Sequence, residues 1–165
     1  MGKLLVLNHD QISLKLDRIA WQIIERYYGE KEIILLGLSH RGTDIATKIQ
    51  TRILKFSDLS VQRGTISLDK SNPLQKNVSI DLVTTLERKS VLLVDDVLNS
   101  GSTMVAALRE VLNHNPLSVR TAVLANRDHH KFPIQANFVG ISLATTLKEH
   151  ISYEEVAGSM SVSLS

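Results

Sequence analysis

Two adjacent carboxylates, Asp95 and Asp96, stand between an apolar run at residues 91–94 and a loop of small polar residues at 99–103, which reads Asn-Ser-Gly-Ser-Thr. The valine-rich run predicts a strand that is buried on both faces. After the loop, apolar residues recur at helical spacing. The first N–H groups of a helix lack intrahelical partners and lie at the positive end of its dipole. A small-residue loop before a helix therefore predicts an anion site beside the two acids.

This pairing of groups favours a particular ligand. The acids can accept hydrogen bonds from hydroxyl groups or bind a metal ion, while the loop can hold a phosphate, so a phosphorylated sugar fits both. The loop is not a Walker loop, because no Gly-Lys-Ser/Thr follows the strand, and GxGxxG is absent. The alternative is structural: an acid at a strand tip and a capping hydroxyl before a helix. Gly101 inside the turn favours the ligand site, since glycine permits positive φ and close approach.

A second segment repeats the order of strand, polar turn and helix. The apolar run at residues 33–38 is followed by Ser39, His40, Arg41 and Gly42, and then by an apolar helical stripe. An arginine beside a glycine at a strand tip suits a second anion such as pyrophosphate. The alternative is a capping loop with a solvated arginine.

A long polar loop at residues 69–78 carries Asp69 and Lys70. A loop of this length that bears lysines can close over a phosphorylated substrate and exclude water. The alternative is a surface connection without a function of its own. Further along, a predicted strand at residues 119–125 ends in a polar tip that contains Arg127 and His129.

The remaining patterns predict an α/β fold. An apolar stripe from Ile12 to Tyr27 predicts a first helix, capped by Asp10 or Ser13 and closed by Gly29. Further strands are predicted at residues 4–7, 61–68, 79–82, 138–141 and 161–165. Alternating strands and helices predict an open, mostly parallel, doubly wound sheet in one domain spanning 1–165, with ligands outside the carboxyl ends of the strands.

Composition excludes several classes of function. The 165 residues include no cysteine, which removes disulfides and thiol catalysis, and the histidines show no HxH or HExxH spacing. A formal net charge of +2 is weak evidence for nucleic-acid binding. No apolar run approaches the roughly 20 residues of a membrane span, and the N-terminus does not resemble a secretory signal. We therefore expect a cytoplasmic protein without a membrane partner.

The acids and their loop resemble the phosphoribosyl-pyrophosphate (PRPP) motif of type I phosphoribosyltransferases, in which four apolar residues and two acids precede a Thr-Gly-x-Thr-like loop. The resemblance extends over roughly residues 16–146. It is strongest to the group of bifunctional pyrimidine operon attenuators and uracil phosphoribosyltransferases. That group has a similar Arg-Ile-Ala-x-x-Ile-Ile-Glu-Arg helix (18–26 here), an Arg-Gly turn (41–42), Val-Asp-Asp-Val-Leu (94–98) and a similar segment at 127–140.

The resemblance implies a fold with a small hood and transfer of the 5-phosphoribosyl group from PRPP to a base, most simply uracil, with release of pyrophosphate. It also implies Mg²⁺ as cofactor and a homodimer or higher homo-oligomer. The implied roles are as follows: catalysis and Mg²⁺ binding for Asp95 and Asp96; 5-phosphate binding for Asn99, Ser100, Gly101, Ser102 and Thr103; pyrophosphate binding for Ser39, His40, Arg41 and Gly42; a flexible loop for Asp69 and Lys70; and a base-site region for Arg127 and His129.

Two positions depart from the family. Asn99 stands where purine enzymes usually place an Asp and where the attenuator group often has a Tyr, and the loop reads Leu-Asp-Lys-Ser at 68–71 instead of Leu-Tyr-Arg-Asp. The first departure, Asn99, argues against a purine as the base. The alternative function is a nucleotide-sensing regulator that binds RNA, with weak or no transferase activity. A third interpretation is a different doubly wound domain with an acidic phosphoryl-acceptor pocket. The loop of glycine and hydroxyl residues at 99–103, which follows the acids, argues against it.

Overall fold

The computed structural model describes residues 2–75, 77–146 and 148–165. Three helices are present among them: α1 (His9–Arg26), α2 (Ser39–Phe56) and α3 (Ser102–Leu112). The strands are β1 (Leu4–Leu7), β2 (Glu32–Leu38), β3 (Ser60–Ser67), β4 (Ser79–Asp81), β5 (Ser90–Leu98), β6 (Ser118–Arg127), β7 (Phe138–Leu143), β8 (Ile151–Val156) and β9 (Ser159–Leu164).

Six strands form the central sheet in the order β4-β3-β2-β5-β6-β7. All neighbours are parallel except the edge strand β4, which runs antiparallel to β3. The connection through α2 leads from β2 to β3, toward one edge of the sheet. The connection through α3 leads from β5 to β6, toward the other edge. The order therefore reverses between β2 and β5, and the crevice outside the carboxyl ends of such a pair is where doubly wound sheets bind ligands. The predicted fold class is confirmed.

Helices cover both faces of this sheet. Because right-handed crossovers that leave in opposite directions carry their helices to opposite faces, α2 packs with α1 on one side and α3 packs on the other, each over its own apolar cluster. Strands β2 and β5 are sandwiched between these layers. Every residue of β5 is buried, including its acids, which explains why the apolar part of this strand reads as a continuous run.

A separate three-stranded antiparallel sheet, β1-β9-β8, forms the hood. Its β8–β9 hairpin turns through Ala157 and Gly158, which both have positive φ (50° and 78°). Glu155 of the hood pairs with Lys48 of α2 at 2.8 Å and accepts a hydrogen bond from the Tyr153 hydroxyl. The hood therefore packs on the α2 side of the central sheet.

Several predicted boundaries were wrong. The first helix is capped by Asn8, not by Asp10 or Ser13: the Asn8 and Gln11 side chains each accept from the other's backbone N–H, which is a capping box. That helix ends at Arg26, before the turn that contains Gly29. Residues 39–42 are the first turn of α2 and not a loop. Strand β5 does not end at residue 94 but continues through both acids to Leu98.

Candidate active site

Asp95 and Asp96 lie at the carboxyl end of β5, at the point where the strand order reverses. Their relative exposures are only 3% and 5%. Burial and the adjacent Asp96 charge raise the pKa of Asp95 well above its usual value, and the Lys70 ammonium opposes this shift. Two buried acids side by side repel each other when both are ionised, so the pair favours hydroxyl donors and cations that offset this repulsion.

Lys70 reaches this pair from the loop that follows β3. Its Nζ lies 3.3 Å from Asp95 Oδ1 and 3.8 Å from Asp96 Oδ1. Its side chain is 43% exposed, whereas the two carboxylates are almost completely buried. The loop predicted to approach the substrate therefore contacts the acids directly. Asp69 accepts hydrogen bonds from the Ser71 backbone and hydroxyl and so shapes the turn that presents Lys70.

The loop predicted to bind phosphate, residues 99–103 and called the phosphate loop below, leads into the N-terminus of α3. Gly101 caps this helix with a left-handed backbone (φ 87°). The hydroxyls of Ser100 and Ser102 are 2.9 Å apart, and the Ser102 N–H donates to Ser100 Oγ. Thr103 lies in the first helical turn, where N–H groups without helical partners favour an anion.

The segment at residues 131–134, which follows β6, supports this loop from outside. The Lys131 and Phe132 N–H groups both donate to the Ser100 carbonyl, at 3.0 and 3.1 Å. A Cβ on Gly101 would lie 2.7 Å from Ile134 Cγ2. Glycine is thus required at residue 101 twice, for its positive φ and for the close approach of the neighbouring segment.

One polar atom of the loop has no partner. Asn99 Oδ1 is buried and accepts no hydrogen bond from any residue that the structure describes. A buried acceptor without a donor is costly. A ligand donor at this point would satisfy it.

A cavity of about 300 Å³ joins these features. It is lined by Arg41, Lys70, Asp95, Asp96, Val97, Leu98, Asn99, Ser100, Gly101, Ser102, Thr103, Met104, His150 and Ile151. Of the predicted residues, the acids, the whole phosphate loop, Arg41 and Lys70 are brought together here.

The other residues of the predicted pyrophosphate turn are placed nearby but do not line the cavity. Ser39 opens α2 with a positive φ of 57°. His40 is exposed and faces Asp44 at 3.7 Å. Gly42 packs against β5, where a Cβ would lie 2.7 Å from the Val94 carbonyl oxygen. Its lack of a side chain lets the start of α2, and with it Arg41, approach the acids.

Arg127 and His129 lie outside the cavity lining. Arg127 donates to the Thr145 hydroxyl and to the Thr146 carbonyl, both at 2.7 Å, so it fixes the segment that leads to the hood. His129 is exposed.

His150 is a cavity residue that sequence reasoning missed. Its backbone forms two hydrogen bonds with Ser165, at 2.7 and 3.0 Å, which extend the β8–β9 pairing. The position of His150 therefore depends on a strand pairing within the hood, and no local motif marks it.

The donor chemistry of the pair fits a hard divalent cation. Carboxylate oxygens are ligands that Mg²⁺ prefers, and Mg²⁺ is usually held by one or two carboxylates together with substrate phosphates and water. Throughout the described ranges, no group of three or more His, Cys, Asp or Glu is arranged to hold a metal ion. Asp95 and Asp96 thus suit a cation that is shared with a phosphorylated substrate.

The family model described as the phosphoribosyl transferase domain matches residues 5–156. The chain belongs to this family. The expectation of a PRPP-using phosphoribosyltransferase is confirmed. In the described part of the chain, no helix combines the length and hydropathy needed to cross a membrane.

Curated relatives of this phosphoribosyltransferase carry the name bifunctional protein PyrR. The protein from Clostridium novyi is 36% identical over 160 residues, which cover 91% of this chain and 89% of the relative. The protein from Macrococcus caseolyticus is 34% identical over 158 residues, covering 92% and 91%. The predicted resemblance is confirmed.

Solved structures of more distant members share the fold. Hypoxanthine phosphoribosyltransferase from Trypanosoma cruzi superposes with a TM-score of 0.75 at 17% identity, covering 86% of this chain and 78% of that one. Hypoxanthine-guanine phosphoribosyltransferase from Bacillus anthracis gives 0.72 at 20% identity, covering 85% and 82%. These likenesses concern the fold and not the base.

Proposed function

We propose that this phosphoribosyltransferase transfers the 5-phosphoribosyl group of PRPP to uracil and releases pyrophosphate. The observation that supports this most directly is the single cavity shared by the Asp95–Asp96 pair, the phosphate loop and Arg41. Uracil is proposed as the base because the relatives named PyrR match about nine-tenths of the chain, and because Asn99 replaces the acid typical of purine enzymes.

The proposed binding mode follows the charges of the cavity. The 5-phosphate binds at the N-terminus of α3, where the N–H groups and hydroxyls of residues 99–103 meet it. The ribose 2- and 3-hydroxyls donate to Asp95 and Asp96. Arg41 binds the pyrophosphate, with Ser39, His40 and Gly42 forming the turn that presents it.

Mg²⁺ is part of the proposal, with Asp95 and Asp96 as the residues that would hold it together with PRPP. When bound, the ion neutralises charge on the departing pyrophosphate. The chain's own residues supply orientation and electrostatics. As the bond from the anomeric carbon to pyrophosphate breaks, positive charge develops on the ribose, and the anionic pair stabilises it in a site shielded from water.

The base-side residues are assigned by position. We propose that Arg127 shapes the base site indirectly, because it holds residues 145–146 in place. We assign the exposed His129, two residues further along the chain, to the same base-site region. His150 lines the cavity from the hood, and Asn99 Oδ1 offers an acceptor that lacks a partner. Both suit recognition of a ligand N–H or O–H group.

Pyrophosphate release tests the proposal. The purified chain is incubated with PRPP and Mg²⁺ and with uracil, orotate, hypoxanthine, guanine, adenine or xanthine in turn. We expect release with uracil above the background of PRPP alone. Release with a purine instead would reject uracil as the substrate, and release with none of the six would reject the transferase.

A second candidate function is a nucleotide-sensing regulator that binds RNA, favoured by the name "bifunctional" that the relatives carry. The test is RNA affinity with and without a uridine nucleotide, measured across salt concentrations. We expect the nucleotide to raise the affinity and salt to lower it steeply. No binding at low salt would reject this function.

A homodimer or higher homo-oligomer in the cytoplasm is proposed as well. Trp21 of α1 is 52% exposed and stacks on Phe56 of α2 with ring centroids 4.9 Å apart. This aromatic pair suits a subunit contact. Sedimentation of the wild type and of Trp21→Ala measures whether the chain associates through it.

A further inference from the structure

The carboxylate pair carries more negative charge than its surroundings compensate. Asp95 and Asp96 are both almost fully buried, and among the residues that the structure describes the cation within 4 Å of both of them is Lys70, at 3.3 and 3.8 Å. Burying a charged group is costly unless a partner is present. The ligand-free chain therefore uses a residue of the loop as the counter-ion of its own binding site.

Lys70 also occupies space that the proposed substrate needs. Its side chain lines the cavity together with both acids and the phosphate loop. An ammonium that donates to Asp95 Oδ1 uses an oxygen that a ribose hydroxyl or a divalent cation would otherwise contact.

The loop around Lys70 is ordered largely by bonds of its own. Asp69 Oδ1 and the Asp69 carbonyl accept from the Ser71 and Asn72 N–H groups, and the Gln75 N–H donates to the Asn72 carbonyl. Its contacts with the rest of the described chain include the Lys70 pairing with the acids and the bond from Arg109 of α3 to the Leu74 carbonyl. Leu68 also packs against the apolar cluster on the α3 side, and Pro73 is buried. Release of Lys70 from the acids therefore removes one of the contacts that hold the loop in place.

We propose that Lys70 is a tethered competitor: it holds Asp95 and Asp96 in the ligand-free chain and must leave them before Mg²⁺ and PRPP bind. For PRPP this rests on the proposed function, whereas the competition with a cation does not. The ammonium keeps the empty site compact, and its departure frees loop residues 68–75 to change position as the substrate enters. Binding of the substrate and movement of the loop are thus one coupled event.

Lys70→Met tests the competition, because methionine retains the apolar stem and removes the charge. Lys31→Met is the matched control, since Lys31 is an exposed lysine in the turn before β2. The probe is Mn²⁺ alone, without PRPP, measured by electron paramagnetic resonance. We expect Mn²⁺ to bind Lys70→Met about tenfold more tightly than the wild type, which corresponds to about 1.4 kcal/mol. Lys31→Met should match the wild type, and the double variant Asp95→Asn/Asp96→Asn should lose the site.

Hydrogen exchange tests the second half of the proposal in the ligand-free chain. The amides of Ser71, Asn72 and Gln75 are bonded within the loop. We expect them to exchange about fivefold faster in Lys70→Met than in the wild type, as the loss of one ion pair predicts. The double variant should show the same increase, and adding Lys70→Met to it should change nothing further.

Two results would overturn the proposal: equal Mn²⁺ affinity in the wild type and Lys70→Met, or faster exchange in Lys70→Met that the double acid variant does not share. Failure of the proposed function is distinguishable. If the chain releases no pyrophosphate with any base but Lys70→Met still binds Mn²⁺ tenfold more tightly, the proposed transferase function is rejected. The proposal that Lys70 competes with a cation then still stands.

Discussion

At the scale of single residues, the site combines a buried acid, an unsatisfied hydrogen-bond acceptor and a strained backbone. Asp95 is a buried acid with a raised pKa, Asn99 Oδ1 is a buried acceptor without a donor among the described residues, and Ser39 holds a positive φ that non-glycine residues rarely adopt. Each feature costs stability in the ligand-free protein. A bound ligand that brings hydroxyl donors and a cation would relieve the first two, so we expect binding to stabilise the chain by mass action as well.

Asp95→Asn should stabilise the ligand-free chain at neutral pH while strongly weakening PRPP binding. The amide keeps the shape of the carboxylate and removes its repulsion with Asp96. Melting temperature measures the gain, about 2–4 °C for each kcal/mol in a chain of this size. Titration of PRPP measures the loss, with Lys31→Met as the unchanged control. A variant that loses stability and PRPP binding together would show that the acid is structural.

The same substitution has a pH signature. Because the folded-state pKa of Asp95 is raised, the folded chain binds the proton more tightly than the unfolded chain. Wild-type stability therefore falls as pH rises from the unfolded value, about 3.9, through the folded one. The advantage of Asp95→Asn should be near zero at acid pH and grow toward neutral pH, as urea unfolding at a series of pH values would show.

At the scale of elements, two helix N-termini are positioned by glycines. Gly42 lets α2 approach the Val94 carbonyl, and Gly101 lets α3 begin beneath the Ile134 side chain. In both places a methyl group would displace a turn that is proposed to bind an anion. The proposed phosphate site therefore depends on helix placement as much as on the hydroxyls of Ser100, Ser102 and Thr103.

Gly101→Ala should destabilise the chain by about 2–4 kcal/mol, the sum of a positive-φ penalty and a clash with Ile134. Gly158→Ala is the matched control, because Gly158 has a similar φ (78°) but open space where a Cβ would stand. It should show the φ penalty alone, about 1–2 kcal/mol. Urea unfolding measures both variants, and inorganic phosphate binding should weaken only in Gly101→Ala. An equal loss of unfolding free energy in the two variants would mean that the Ile134 side chain moves away from the new methyl group without measurable cost.

Sequence patterns predicted the central elements because burial on both faces leaves a strong local signal. The runs at 33–38 and 91–94 are apolar without interruption and end in polar turns, so the sheet and the places of the two proposed anion sites could be predicted directly. The hood could not. Strand β8 (Ile151–Val156) mixes apolar and acidic residues, and its pairing with β9 places His150 in the cavity. The Lys70 contact, between residues 25 positions apart, likewise required the folded chain.

At the scale of the whole molecule, the hood and the central sheet are separate layers that enclose one cavity. Lys48 of α2 and Glu155 of β8 join them, and the Tyr153 hydroxyl donates to the same carboxylate. The hydrogen bond from Lys48 lowers the pKa of Glu155. The wall that carries His150 is therefore held partly by a charge pair.

Glu155→Gln should destabilise the chain slightly at neutral pH, by less than about 1 kcal/mol, because the pair is partly exposed. Since the folded pKa of Glu155 is lowered, the stabilisation is present above the unfolded pKa, about 4.3, and is lost as pH falls through the folded pKa. Urea unfolding at neutral and acid pH should show the difference only at neutral pH. Glu154→Gln, on the opposite face of β8 beside Lys3, is the control and should change stability less. A difference that persists at acid pH would exclude the charge pair as its cause.

The reversal of strand order between β2 and β5 determines which parts of the chain must be joined before a substrate can bind. The turn that carries Arg41 is made by one crossover unit and the phosphate loop by the other, and the acids stand at the seam between them. Neither unit can hold both ends of a substrate alone. Binding competence is thus acquired only when β2 and β5 pair, and this pairing joins distant parts of the chain. A functional active site therefore requires that both halves of the central sheet are folded and joined.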